Sequence, residues 1–232
     1  MTGPDPAGTR TARPPVELVI FDCDGVLVDS ERIAVGVHAR ILADLGCDFT
    51  RAEIVDLFVG SSKEVYRRAV EERLGRALAP DWQEPYEHLY QEAYAAGGLT
   101  PVDGVGEALA ALTVPLCVAS NTRAESVRMS LRRTGLDPWF GEHVFSATEV
   151  ARGKPAPDLF LHAARGMGVP PDRCAVVEDS AYGAAAARAA GMRVFAYCAG
   201  LTPAERLAGP GTVVFDDMRR LPELIEQQTA PE

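Results

Sequence analysis

Lysine is nearly missing from this chain of 232 residues: Lys63 and Lys154 are its two examples, and every other basic residue is arginine. There is no basic block to track a phosphate backbone, and with a formal net charge of -10 nucleic-acid binding is a poor expectation. An anionic ligand would need local positive charge to overcome that field, which singles out both lysines. No apolar run reaches the length of a membrane span, and the N-terminus has no hydrophobic stretch of the secretory kind. A membrane partner is therefore not expected, and a cytoplasmic location is. The five cysteines are odd in number and form no CxxC pair, which argues for reduced thiols over a disulfide framework. The four histidines, His38, His88, His143 and His162, show no metal-ligand spacing and receive no role. Gly104-Val105-Gly106 falls short of a dinucleotide fingerprint and reads as a turn. There is no internal repeat, and low complexity is confined to residues 1–14, read as a flexible tail.

What is present is a rhythm. Apolar, strand-like runs at Leu18 to Asp22, Leu116 to Ser120, His143 to Ser146, Ala175 to Glu178, Val194 to Tyr197 and Val213 to Phe215 alternate with helical patterns. Those patterns run over Glu107 to Leu112, Ala124 to Thr134, Pro157 to Met167 and Ser180 to Ala190, several of them stopped by glycine at 135, 168 and 191. Apolar strands alternating with helices imply an α/β fold, a Rossmann-like, doubly wound parallel sheet covered on both faces. Residues 31–98 break the rhythm. They hold helical patterns at Ile33 to Leu45, Ala52 to Phe58 and Ser62 to Leu74 and no convincing strand, so they read as a helical cap domain inserted into a core of residues 15–30 and 99–228. The connections are expected near Ser30 to Arg32 and Leu99 to Asp103.

In an open parallel sheet, ligands bind beyond the carboxyl ends of the strands, so the polar residues at those ends are the informative ones. Strand one runs into Asp22-Cys23-Asp24-Gly25, two carboxylates two residues apart followed by a turn. Like charges this close raise one another's pKa unless a cation shares them, and a hard, oxygen-seeking ion such as Mg²⁺ suits such a pair. The next strand ends in Ser120-Asn121, a later one in Glu178-Asp179-Ser180, and Lys154 enters on Gly153-Lys154-Pro155-Ala156-Pro157. Each has a plain alternative: an Asp-Gly turn, a helix cap, a solvated cation, acids favoured by a helix dipole. Their joint placement at strand ends, in this order, favours a site.

These four segments, in this order, resemble the haloacid dehalogenase superfamily over Val16 to about Leu224. The resemblance implies a Rossmann-like core with a small helical cap between the first two motifs. It implies Asp22 as nucleophile forming an aspartyl-phosphate, and Mg²⁺ held by Asp22, the Asp24 carbonyl and Asp179 with Glu178 supporting. Asp24 would act as general acid and base, with Ser120 and Lys154 cradling the phosphoryl oxygens. Family dehalogenases and phosphonate hydrolases lack an acid at the position of Asp24, so phosphate esters are favoured. Water as acceptor makes a phosphatase, and a sugar hydroxyl a phosphomutase. The similar β-phosphoglucomutases carry histidine where this chain has Ala34, which lowers the mutase reading.

Within the family the chain resembles the sugar phosphatase and β-phosphoglucomutase subgroup, and its core strands look like those of the bacterial 6-phosphogluconate phosphatase group. A small phosphorylated metabolite, a sugar phosphate or sugar-acid phosphate, is the expected substrate of a monomer, and this likeness ranks a sugar-acid phosphate first. Gly60-Ser61-Ser62-Lys63 matches the substrate-specificity loop of related caps, making Ser61 and Lys63 candidates for substrate contact. Glu31, Asn121 and Arg123 are further candidates. A receiver-type signalling protein also places acids, a hydroxyl and a lysine on a doubly wound sheet. It has no helical insertion, however, and keeps its phospho-acceptor on a different strand from its acid pair.

Overall fold

The computed structural model describes residues 14–60 and 63–228, so the tail read over residues 1–14 lies outside them except for Pro14. The apolar runs form β1 (Leu18–Phe21), β2 (Leu116–Ser120), β3 (Val144–Ser146), β4 (Cys174–Glu178), β5 (Arg193–Tyr197) and β6 (Thr212–Phe215). They make one sheet in the order β3-β2-β1-β4-β5-β6, with every pairing parallel. The first strand stops one residue short of the sequence expectation. Asp22 still donates its N–H to Val177 O at 2.9 Å, but the chain then turns out of the ladder at Asp24-Gly25.

Between β1 and β2 lie α1 (Glu31–Asp44), α2 (Arg51–Gly60), α3 (Lys63–Leu74) and α4 (Glu87–Ala93), the last running into a π-turn at Tyr94–Gly98. No strand is present among the described residues of this segment. The segment buries apolar clusters of its own, because α1 carries two stripes. Val35 and Leu42 pack with Ile54, Tyr66 and Val70, while Val37 and Ile41 pack with Leu89. The two connections to the sheet run side by side: Asp29 N–H donates to Thr100 O at 2.9 Å and Val102 N–H to Leu27 O at 3.0 Å.

The remaining helices are α5 (Val105–Ala111), α6 (Ala124–Thr134), the one-turn α7 (Asp137–Phe140), α8 (Asp158–Gly166), α9 (Ala181–Ala189), the one-turn α10 (Ala204–Leu207) and α11 (Leu221–Gln227). Alternation along β1 shows why the strands read as unbroken apolar runs. Val19 and Phe21 join the core beneath α5, α6 and α11, whereas Leu18 and Ile20 join the core beneath α8 and α9. The glycines read as helix stops, Gly135, Gly168 and Gly191, all have positive φ. The sequence reading missed α4, α7, α10 and α11. All four are seven residues or fewer, too short for a repeating pattern to stand out, and α4 lies in addition in a Trp- and Tyr-rich stretch whose apolar positions are not evenly spaced. All five cysteines are free thiols, and no described helix is long and apolar enough to cross a membrane.

His38 joins the two clusters of the helical segment. Its Nδ1 lies 2.8 Å from the hydroxyl of Tyr66 on α3, and its Nε2 lies 3.1 Å from that of Tyr90 on α4. Burial lowers its pKa to about 4. The native state thus refuses a proton that the unfolded chain accepts near pH 6.5, so stability is lost as pH falls from about 6.5 to about 4, by up to ~1.4 kcal/mol per pH unit. Chemical denaturation of wild type and His38→Gln between pH 7.5 and pH 4 should show a steeper loss in wild type over that window. Parallel curves would mean that His38 takes up its proton in the native state.

Candidate active site

The β1 register pairs Phe21 with Val118 on one side and Val177 on the other, which brings Asp22 level with the ends of both neighbouring strands. β2 and β4 leave β1 in opposite directions, so a crevice opens at this edge. Lys154 reaches into it from the loop before α8. Its ammonium donates to Asp22 Oδ1 at 2.5 Å, Ala119 O at 2.8 Å and Glu178 Oε1 at 2.7 Å, linking all three strand ends. The side chain is 5% exposed and lies over the Phe160 ring. Burial works against its charge, but Asp22 and Glu178 outweigh that effect and raise its pKa.

The loop that delivers Lys154 is tied to β2 by Asn121. The Asn121 Oδ1 accepts from Lys154 N–H at 2.9 Å, and its amide NH₂ donates to Lys154 O at 3.2 Å. Asn121, expected as a substrate contact, has its amide engaged by the lysine's own backbone. Ser120, buried, accepts from Thr122 N–H through its hydroxyl oxygen at 3.1 Å, which leaves the hydroxyl proton to donate.

Glu178 is held from the other side. Its Oε2 accepts from Asp179 N–H at 3.2 Å, Ser180 N–H at 3.1 Å and the Ser180 hydroxyl at 2.8 Å. Gly183 on α9 makes room for it: a Cβ there would fall 1.9 Å from the Glu178 carboxyl. Asp179 is buried, and its Oδ2 is without a hydrogen-bond partner. A Cβ on Gly25, whose φ is +79, would fall 1.9 Å from that oxygen and 3.2 Å from the Glu31 carboxyl carbon. Glu31, expected to touch substrate, therefore lies beside Asp179, where its Oε2 accepts from Leu201 N–H at 3.3 Å.

One buried lysine thus faces Asp22, Glu178, Asp179 and Glu31. Burial pushes the Asp22 carboxyl up to about 7, with Lys154 opposing and Glu178 and Asp24 adding repulsion. Burial, then Glu31, Glu178 and Asp22, push Asp179 well above the carboxylate range, and burial takes Glu31 to about 7 against the pull of the Leu201 amide. Ligand oxygens of Asp22, Glu178 and Asp179 lie within 4.8 Å of one another. Excess buried carboxylate, hard oxygen donors and the unpartnered Asp179 Oδ2 together fit a divalent cation.

Asp24 lines a cleft of about 810 Å³ to which Asp22, Glu178 and Asp179 do not contribute. The Ser30 hydroxyl donates to its Oδ1 at 2.7 Å and the Thr122 hydroxyl to its Oδ2 at 3.0 Å. Sequence reasoning missed both partners, although each adjoins a recognised motif. It also missed His38, Tyr66 and Tyr90, which line the cleft and carry no motif. Arg123 is exposed and not among the cleft-lining residues. Ser61 lies outside the described residues, as does the side chain of Lys63.

A family model described as haloacid dehalogenase-like hydrolase matches residues 16–191. The chain belongs to the haloacid dehalogenase-like hydrolases. This hydrolase is 33% identical over 213 residues to the 6-phosphogluconate phosphatase of Escherichia coli (strain K12), covering 90% of this chain and 94% of that one. A crystal structure of a haloacid dehalogenase-like protein from Agrobacterium tumefaciens superposes with a TM-score of 0.83 at 39% identity, covering 93% of this chain and all of that one (100%). Another, of a haloacid dehalogenase family hydrolase from Deinococcus radiodurans with bound phosphate and sodium, gives a TM-score of 0.76 at 32% identity, over 92% and 96% of the two chains. The hydrolase is an enzyme of the phosphoric monoester class, which decides against the receiver-type signalling reading.

Alanine at Gly183 tests the support of Glu178. Helix propensity alone would favour it by about 1 kcal/mol. The collision with the Glu178 carboxyl should instead destabilise the hydrolase by ~1–3 kcal/mol in thermal unfolding and lower its activity. An unchanged or raised melting temperature would show that Glu178 is not held in this position.

Proposed function

We propose that this chain is a Mg²⁺-dependent phosphatase that hydrolyses a small phosphorylated metabolite, a sugar phosphate or sugar-acid phosphate, through an aspartyl-phosphate on Asp22. The observation that carries the reading is the Lys154 ammonium shared between Asp22 and Glu178 beside the unpartnered Asp179 Oδ2. Asp22, Asp179 and the Asp24 carbonyl would hold the ion, with Glu178 behind them. When bound, the ion supplies the positive charge that lets a carboxylate approach a phosphate dianion.

The remaining work falls to side chains. Asp22 attacks phosphorus in line, the phosphorus–oxygen bond to the leaving alcohol breaks, and Asp24 gives that oxygen its proton. Water then attacks the acyl phosphate, Asp24 takes its proton, and Asp22 is released with inorganic phosphate. Lys154 and the Ser120 hydroxyl face the charge on the equatorial oxygens in both steps. Ser30 and Thr122, by donating to both Asp24 oxygens, would fix the carboxyl toward the cleft and leave lone pairs there for the travelling proton. Helices α1–α4 act as a cap over the crevice, keeping out water other than the attacking molecule.

Phosphate release from a panel of aryl, sugar and sugar-acid phosphates should require Mg²⁺ and cease with a chelator. Asp22→Asn should lower it by at least ~10³-fold while the fold survives. Comparable turnover in that variant would place the nucleophile elsewhere.

A further inference from the structure

The cleft that Asp24 faces is also walled by His38, Tyr66, Trp82 and Tyr90, whose chemistry differs from that of the phosphoryl end. Trp82 lies near-parallel to the Tyr66 ring, at 6.1 Å and 20°. Each tyrosine hydroxyl bonds one nitrogen of His38, at 2.8 Å and 3.1 Å. A neutral imidazole has one bare nitrogen and one N–H. One tyrosine must therefore donate its proton to the ring and keep oxygen lone pairs to offer. The other accepts from the ring and keeps its O–H to give. In either tautomer the pair offers one donor and one acceptor, the complement of an alcohol group, and the imidazole stays neutral because burial holds its pKa near about 4.

A carboxylate is a poor match, since it can accept from one tyrosine but only face the lone pairs of the other. The charges around the cleft oppose it as well. Asp81, Glu84 and Glu87 are exposed on the lining, and the guanidinium there, Arg67, has Glu71 at 4.0 Å. We propose that His38, Tyr66 and Tyr90 read hydroxyl groups of the leaving alcohol, so that the substrate is an uncharged polyol or sugar phosphate and the phosphate ester of a sugar acid is disfavoured. This rests on the phosphatase reading above and narrows its substrate. The plain alternative is that the trio merely pins α1, α3 and α4 together.

The test measures kcat/KM of the full chain with Mg²⁺ for phenyl phosphate, glucitol 6-phosphate and 6-phosphogluconate, in wild type, Tyr66→Phe and Tyr90→Phe, with melting temperatures alongside. Wild type should prefer glucitol 6-phosphate to 6-phosphogluconate by about tenfold or more. Each variant should lower the ratio of glucitol 6-phosphate to phenyl phosphate by about tenfold, chiefly through KM, the scale of one neutral hydrogen bond. Equal or better turnover of 6-phosphogluconate by wild type overturns the inference. So does a parallel fall for all three esters together with a lowered melting temperature, the signature of a structural pin. Should a variant fail to fold, the wild-type preference between glucitol 6-phosphate and 6-phosphogluconate decides. Failure of wild type to hydrolyse any ester, phenyl phosphate included, removes the phosphatase reading itself and this inference with it.

Discussion

The Lys154 ammonium, 5% exposed and bonded to Asp22, Glu178 and the Ala119 carbonyl, is the contact on which the rest of this site depends. Burying a lysine is costly unless carboxylates repay the lost hydration, and burying several carboxylates is equally so without a cation. Each group therefore explains the others. Much nearby structure serves that arrangement: Asn121 grips the lysine backbone, Ser180 and two backbone amides hold Glu178, and the lack of a side chain at Gly183 leaves space for it. The arrangement remains one-sided, with more carboxylate than lysine, and that imbalance underlies our proposal of a divalent cation and a phosphate at this edge of the sheet.

The site has two chemically separate ends. At the sheet, buried charge and hard oxygens suit a phosphoryl group. In the cleft beyond Asp24 stand aromatic rings and a neutral His-Tyr-Tyr trio, the groups we propose to read the hydroxyls of the leaving alcohol. Asp24 stands where the two meet, which is where the bond between phosphorus and the leaving oxygen would lie. The cleft is shared between the helical segment, which supplies His38, Tyr66, Trp82 and Tyr90, and the sheet side, which supplies Asp24, Thr122, Ser126, Met129 and Ser130.

Much of this was legible beforehand because the signals were local. The strands announced themselves as apolar runs, and all six agree with the structure to within a residue at each end; β1 stops one residue early, at Phe21, because the chain turns away after Asp22. Asp22, Ser120, Lys154, Glu178 and Asp179 stood out as polar residues at apolar strand ends. Thr122 and Ser30 did not, since a hydroxyl beside a motif looks like any cap or turn residue until its partner, Asp24, comes within 3.0 Å. Asn121 and Glu31 were recognised as notable, but their contacts within the protein were not foreseen. Their side chains turn toward Lys154 and Asp179, a matter of direction that no spacing reveals.

The sequence by itself determined the parallel α/β layering, the helical interruption and the residue types at the phosphoryl end, because period-two and period-3.6 patterns and strand-end polarity are written within short windows. Only the tertiary structure decided what lines the cleft beyond Asp24. His38, Tyr66 and Tyr90 come from three helices, up to 52 residues apart, and acquire a common chemistry solely because packing of α1, α3 and α4 brings two hydroxyls to the two nitrogens of one buried ring.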